Sequence, residues 1–212
     1  MVISYFGKKG NEPSEEDTMQ EIIERAKAII FRPRETWPII KEEVATVGDV
    51  FRNYVVILAA LPPVASFLGL WIFGRSVSFA PGRYHVSFFK GISMAVVEYI
   101  VTLVGVYVAA LVVEWLAPNF QAQRDRVRAF KLVAYSFTPA FVIGIVNIIP
   151  DLAPLTILGL YGFYLLYVGL PYLMECPPER ALTYTIAVAA IMFIVYIAIG
   201  AITAAIVGLP KV

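Results

Sequence analysis

Five apolar stretches, each about 20 residues or longer, occupy most of the chain beyond residue 52 and limit what it can fold into. In water, such a stretch must be a buried core helix. Five of them in 212 residues cannot all bury one another, and hydrophobic residues make up 59% of the chain. Charged residues are 16%, against about 25% in soluble domains. In lipid the apolar side chains are solvated directly, and a helix satisfies its own backbone groups. At 1.5 Å rise per residue, about 20 residues cross the hydrocarbon core. The predicted spans are 53–73, 91–116, 129–149, 154–174 and 181 to about 209. Pro150 and Pro154 flank Asp151 and predict a tight helical hairpin between the third and fourth. The expected fold is all-α, a polytopic bundle of five spanning helices.

Lys and Arg set the expected orientation. Eight precede the first span, and the second loop holds Arg124, Arg126, Arg128 and Lys131. The first loop has three, the third none, and the fourth and the tail one each. This asymmetry predicts N-in, C-out. The first apolar residues are too few for a cleaved signal peptide, so the first span is expected to direct insertion. The expected division is a cytoplasmic segment, 1–52, and a transmembrane domain, 53–212.

The first segment is patterned. Ser14 is the expected cap of a helix carrying Met19, Ile22, Ile23, Ala26, Ile29 and Ile30 at helical spacing, ending near Pro33. Trp37-Pro38 is expected to begin a second short helix, with Trp37 in the headgroup region. Both pieces are predicted to lie along the cytoplasmic surface or under the bundle. In the first outer loop, alternation around Ala80-Pro81-Gly82-Arg83 predicts a β-hairpin, with His85 in the interface.

Several function classes are excluded. One cysteine, Cys176, and one histidine rule out an intrachain disulfide and a His/Cys metal cluster. There is no uniformly basic surface for nucleic acid, no phosphate-binding glycine loop and no zincin motif. Glu42-Glu43 resembles the acidic pair of intramembrane prenyl-site proteases, but their further residues are missing. The chain reads as a non-enzyme without a cofactor.

Polar residues inside the spans are the functional candidates, because each costs energy in hydrocarbon. Glu98 lies in the second span, and Asn147 and Asp151 sit one turn apart at the outer end of the third, at a similar expected depth. This trio is the candidate intramembrane cluster, for a cation or a relayed proton. The bland alternative is an interhelical hydrogen-bonded clamp, with Asp151 capping the fourth helix. Glu114 is expected to form an interfacial ion pair beside Arg124, Arg126 and Arg128, arginines that also suit anionic lipid heads. Tyr161, Tyr164 and Tyr167 are expected to pack and hydrogen bond. Small residues four apart (Ala65 and Gly69, Gly105 and Ala109, Ala140 and Gly144) predict close helix contacts. The row Gly200, Ala204, Gly208 predicts a helix contact or a homo-oligomer seam.

Phe130-Lys131-Leu132-Val133-Ala134-Tyr135-Ser136-Phe137-Thr138-Pro139 resembles the start of the third helix in the Yip-domain family, the Ypt-interacting proteins. So do Leu160-Tyr161-Gly162-Phe163-Tyr164 and the run from Pro178 to Leu182. Residues 25–43 look like the short preamble of prokaryotic members, and the resemblance runs from about Glu21 to Val207. It marks Tyr135, Pro139, Tyr161 and Gly162 as family-motif positions. It implies five spans with a cytoplasmic N-terminus. Eukaryotic members are linked to vesicle traffic and Rab-type GTPases.

Two readings follow. One is a membrane scaffold of the cell membrane, whose N-terminal segment recruits a cytoplasmic protein partner or senses the bilayer. The other is a small transporter or channel moving a cation or proton through the outer-half cluster.

Overall fold

The structure, a computed structural model, describes residues 15–77, 80–84 and 86–207. Two N-terminal helices, α1 (Glu15–Phe31) and α2 (Pro33–Glu42), precede five long apolar helical segments. These are α3 (Val47–Ile72), α4 (Phe88–Phe120), α5 (Arg126–Ile148), α6 (Pro150–Leu173) and α7 (Pro178–Val207). Each is long and apolar enough to cross a bilayer, and the molecule is a multi-pass membrane protein.

Polar caps fix where the spans begin. α3 starts six residues before the apolar run because Thr46 and Asp49 form a reciprocal capping box: Asp49 N–H donates to Thr46 Oγ1 at 3.2 Å, and Thr46 N–H to Asp49 Oδ2 at 2.9 Å. α5 starts at Asp125, whose Oδ1 accepts from Arg128 N–H at 2.9 Å.

Prolines set the irregularities. α3 carries a π turn at Phe51–Val55 and restarts at Leu61, which puts Pro62 and Pro63 in a first turn. α5 breaks at Phe137, ahead of Pro139. In α6, residues Pro150–Leu160 wind as a 3₁₀ helix before the α-helix Tyr161–Leu173. Ile149 alone separates α5 from α6, so the predicted tight hairpin is present.

Small residues admit the close contacts. On α3, a Cβ at Gly69 would fall 2.2 Å from the Asn147 carbonyl oxygen, and on α5 a Cβ at Gly144 would fall 2.5 Å from Pro62. Ala65, one turn before Gly69, is buried. Gly69 and Gly144 therefore line the α3–α5 contact, whereas Ala140 meets Gly159 of α6. Gly105 meets nothing within 4 Å, although Ala109 is buried. Gly208, and the side-chain surroundings of Gly200 and Ala204, lie outside the described residues. Tyr99 OH donates to Val56 O at 2.9 Å between α4 and α3, and Tyr184 OH donates to Val113 O between α7 and α4.

Between α3 and α4, β1 (Arg75–Val77) pairs antiparallel with β2 (Ala80–Tyr84). The reversal differs from the predicted one. Ser76 faces Arg83 and Val77 faces Ala80, so Pro81 and Gly82 form the bulge inside β2. Proline has no N–H to lose at such an unpaired position. His85, like the expected cap Ser14, lies outside the described residues.

The N-terminal helices are part of the bundle core. Ile22 and Ile29 of α1, and Trp37 and Ile40 of α2, join one apolar cluster with residues of every span. α2 stands beside α6. Lys41 Nζ lies 3.0 Å from Glu175 just past the end of α6, and Trp37 lies where a side chain on Gly169 would be. Tyr161 OH donates to Ile30 O at 2.9 Å. Tyr161 and Glu175 are fourteen positions apart, about 20 Å along a helix. The elbow between α1 and α2 therefore reaches well along the side of α6 rather than lying under the bundle. Two expectations are corrected. Trp37 is fully buried rather than placed among headgroups, because α2 stands on end. The proline that begins α2 is Pro33; Pro38 lies inside the helix, on its exposed side.

Candidate functional site

Arg25 shares a stripe with Ile22, Ala26 and Ile29 at helical spacing, and α1 turns that stripe inward. A guanidinium there must find partners. It pairs with Glu43, both side chains being less than a tenth exposed, and its carbon lies 5.7 Å from the centre of the Tyr135 ring, within cation–π range. Tyr135 in turn packs on Tyr54 at 4.7 Å, and Tyr54 OH shares a hydrogen bond of 2.8 Å with Thr138 Oγ1. The break at Phe137 places Tyr135 and Thr138 on either side of a kink, both toward α3.

Lys131 is the second buried cation. Its Nζ donates to Ile40 O at 3.0 Å and to Glu43 O. These carbonyls close the last turn of α2, where the helix dipole favours positive charge. Arg25, Glu43 and Lys131 thus hold both N-terminal helices to the bundle with side chains from α1, the α2 end and α5.

A more exposed ionic rim lies alongside. Glu114 accepts from Arg126 Nε at 2.9 Å and lies 3.5 Å from Arg124. This is the interfacial pairing expected for Glu114. Arg128 turns instead to Glu175 at 2.9 Å and to Gln123. Hydrogen bonds from Lys41 and Arg128 hold the Glu175 carboxyl below its ordinary range. Cys176 is a free thiol packed under Phe120 O, and burial pushes its pKa up.

The predicted trio is placed differently. Glu98 is exposed on α4, and its backbone oxygen accepts from Thr102 Oγ1 at 2.8 Å. Asn147 is half-buried where its backbone meets Gly69, and Asp151 is exposed in the first turn of α6. No hydrogen bond or ion pair among the described residues joins Glu98 to Asn147 or Asp151. No group of three His, Cys, Asp or Glu among them could hold a metal ion.

The family-motif positions converge. Tyr135 sits under Arg25, Pro139 is buried just past the kink, and a Cβ on Gly162 would fall 2.5 Å from Ser136 O. Tyr161 stacks on Tyr164 at 5.3 Å and bonds the α1 end. Sequence reasoning missed Arg25, Glu43, Lys131, Tyr54 and Thr138. The available signal was a base on the apolar stripe of an amphipathic helix.

The Yip1 domain family model matches residues 27–199, from within α1 to well into α7, and so includes Lys131, Tyr135, Tyr161 and Gly162. The Inner membrane protein YohC of Escherichia coli strain K12 is 28% identical over 165 residues, covering 74% of this chain and 82% of that protein. The protein of the same name from Escherichia coli O6:H1 strain CFT073 matches equally. No solved structure matches. With a family model that takes in four of the spans and most of the fifth, the chain belongs to the Yip1 domain family.

Proposed function

We propose that this protein is a non-enzymatic scaffold of the cell membrane that presents its N-terminal helical hairpin to a protein partner in the cytoplasm. One observation carries the reading. α1 is fastened to the bundle by the Arg25–Glu43 pair and the Tyr161 bond, while Glu16, Gln20, Glu21, Glu24 and Lys27 stay exposed on its outer side. A charged face held in one orientation beside spanning helices is expensive against lipid and suits water or a polar partner. The positive-inside asymmetry of the loops supports a cytoplasmic location for it.

A photoreactive amino acid at Gln20 or Glu24, with Val101 as a lipid-facing control, tests this in native membranes. A discrete crosslinked product from the α1 sites alone is expected. Cysteines at Ser78 and Gln123 report topology: an impermeant maleimide should reach the first from outside and not the second. The transport reading is tested by cation and proton flux in liposomes with Glu98→Gln alongside. Flux lost in that variant, with no crosslinked product at α1, overturns the scaffold.

A further inference from the structure

Four helical hydroxyls follow one habit. Thr36, Ser93, Thr102 and Thr185 each donate to the carbonyl four residues earlier, at 2.8–2.9 Å. Ser136 does not. It is 3% exposed, and its Oγ has no hydrogen-bond partner among the described residues. A buried hydroxyl without a partner is costly in an apolar medium.

Ser136 lines a cavity of about 280 Å³ between α4, α5, α6 and α7. The other walls are nearly all apolar, among them Ala140, Leu166, Val188 and Met192, and none is charged. Gly162 brings α6 against the Ser136 backbone. Leu160 and Phe163 line the cavity yet are 58% and 42% exposed, so its mouth opens sideways toward the bilayer. The volume is at the small end of ligand pockets, about 300–1,000 Å³.

We propose that this cavity binds an uncharged lipid, one apolar chain of which enters past Leu160 and Phe163 and sets a neutral oxygen, hydroxyl or carbonyl, beside Ser136, whose Oγ, covered in the empty cavity, turns about Cα–Cβ to meet it. The absence of any charged wall excludes a phosphate or carboxylate head. Depth argues likewise: Ser136 is ten residues along α5 from Arg126, about 15 Å, too far in for a headgroup at the interface. A hydroxyl that both donates and accepts serves either oxygen type.

The test uses the purified full-length protein in detergent and four photoreactive probes of equal chain length: an alcohol, its methyl ester, the carboxylic acid and the plain alkane, each with a mid-chain diazirine. Labelled peptides are mapped by mass spectrometry. The alcohol and the ester are expected to label the 159–166 region roughly five-fold more than the alkane or the ionised acid. Ser136→Ala should bring the alcohol down to the alkane level, and Met192→Trp, which fills the cavity, should abolish labelling there. Ser136→Ala barely changes volume, so it remains decisive should the tryptophan variant fail to elute as a single species. A high alcohol signal beside a low ester signal assigns a lipid alcohol; the reverse assigns an ester carbonyl. Labelling by alcohol and ester that are both no higher than by the alkane, or an alcohol or ester signal indifferent to Ser136→Ala, overturns the proposal.

Discussion

Lys131 Nζ lies 3.0 Å from the carbonyl oxygen of Ile40, a residue 91 positions earlier. A cation from the third span thereby closes the end of a helix that precedes the first. Replacing it by methionine keeps the stem and removes the charge. The last carbonyls of α2 then lose their partner in a dry setting. Lys131→Met is expected to cost about 1–3 kcal/mol, seen as a lower thermal midpoint in detergent.

Arg25→Ala should cost more. It leaves the Glu43 carboxylate with less than a tenth of its side chain exposed and its counter-charge gone. Breaking such a pair from one side costs about 3–5 kcal/mol. Limited proteolysis should then cut the α1–α2 segment while the spans stay intact. Unchanged protease resistance would show that the clamp does not hold the hairpin.

Gly162→Ala and Gly105→Ala are the same chemical change with opposite surroundings. The first puts a methyl 2.5 Å from a backbone oxygen of α5; the second meets nothing within 4 Å. The first should destabilise by about 1–3 kcal/mol as α6 is pushed from α5, and the second should be neutral or mildly stabilising. Thermal unfolding of the two variants side by side decides it.

The rim gives a pH dependence. The folded carboxyl of Glu175 titrates below the ordinary value of 4.5, so its contribution to stability is complete above that value. It is lost as the pH falls through the lowered folded value. Wild type should be more stable than Glu175→Gln at pH 7, and the two should converge in acid. A difference that grows on acidification would reverse the sign and refute the assignment.

Cys176 offers a probe of the same corner. Its thiol is buried and its pKa raised, so little thiolate is present at pH 7. Maleimide labelling should be slow in the native protein and fast after denaturation. Arg128→Ala, which removes one partner of Glu175 next to it, is expected to speed native labelling.

The spans were legible in the sequence because hydropathy is a local property. All five emerged, with ends shifted by a few residues where Thr46 and Asp125 cap the helices ahead of the apolar run. Glu114 was legible too, since three arginines follow it closely. The clamp was not. Arg25, Glu43 and Lys131 meet only after three helices have packed, and periodicity within one helix carries no news of its partner. Trp37 misled for a related reason: its amphipathic chemistry suits an interface equally well as a tight slot beside Gly169. Glu98 stood out by cost alone, yet it is exposed on α4 and no hydrogen bond or ion pair among the described residues joins it to Asn147.

The place of α2 against α6 has a consequence for biosynthesis. The N-terminal hairpin leaves the ribosome first, but the slot for Trp37 is made by Leu132 and Gly169. At about 5–20 residues per second, more than a hundred residues must follow before that slot exists, a delay on the order of ten seconds. Through that interval a newborn chain carries an unsheltered tryptophan and an arginine without its berth, which is when a holdase or insertion factor has the most to do.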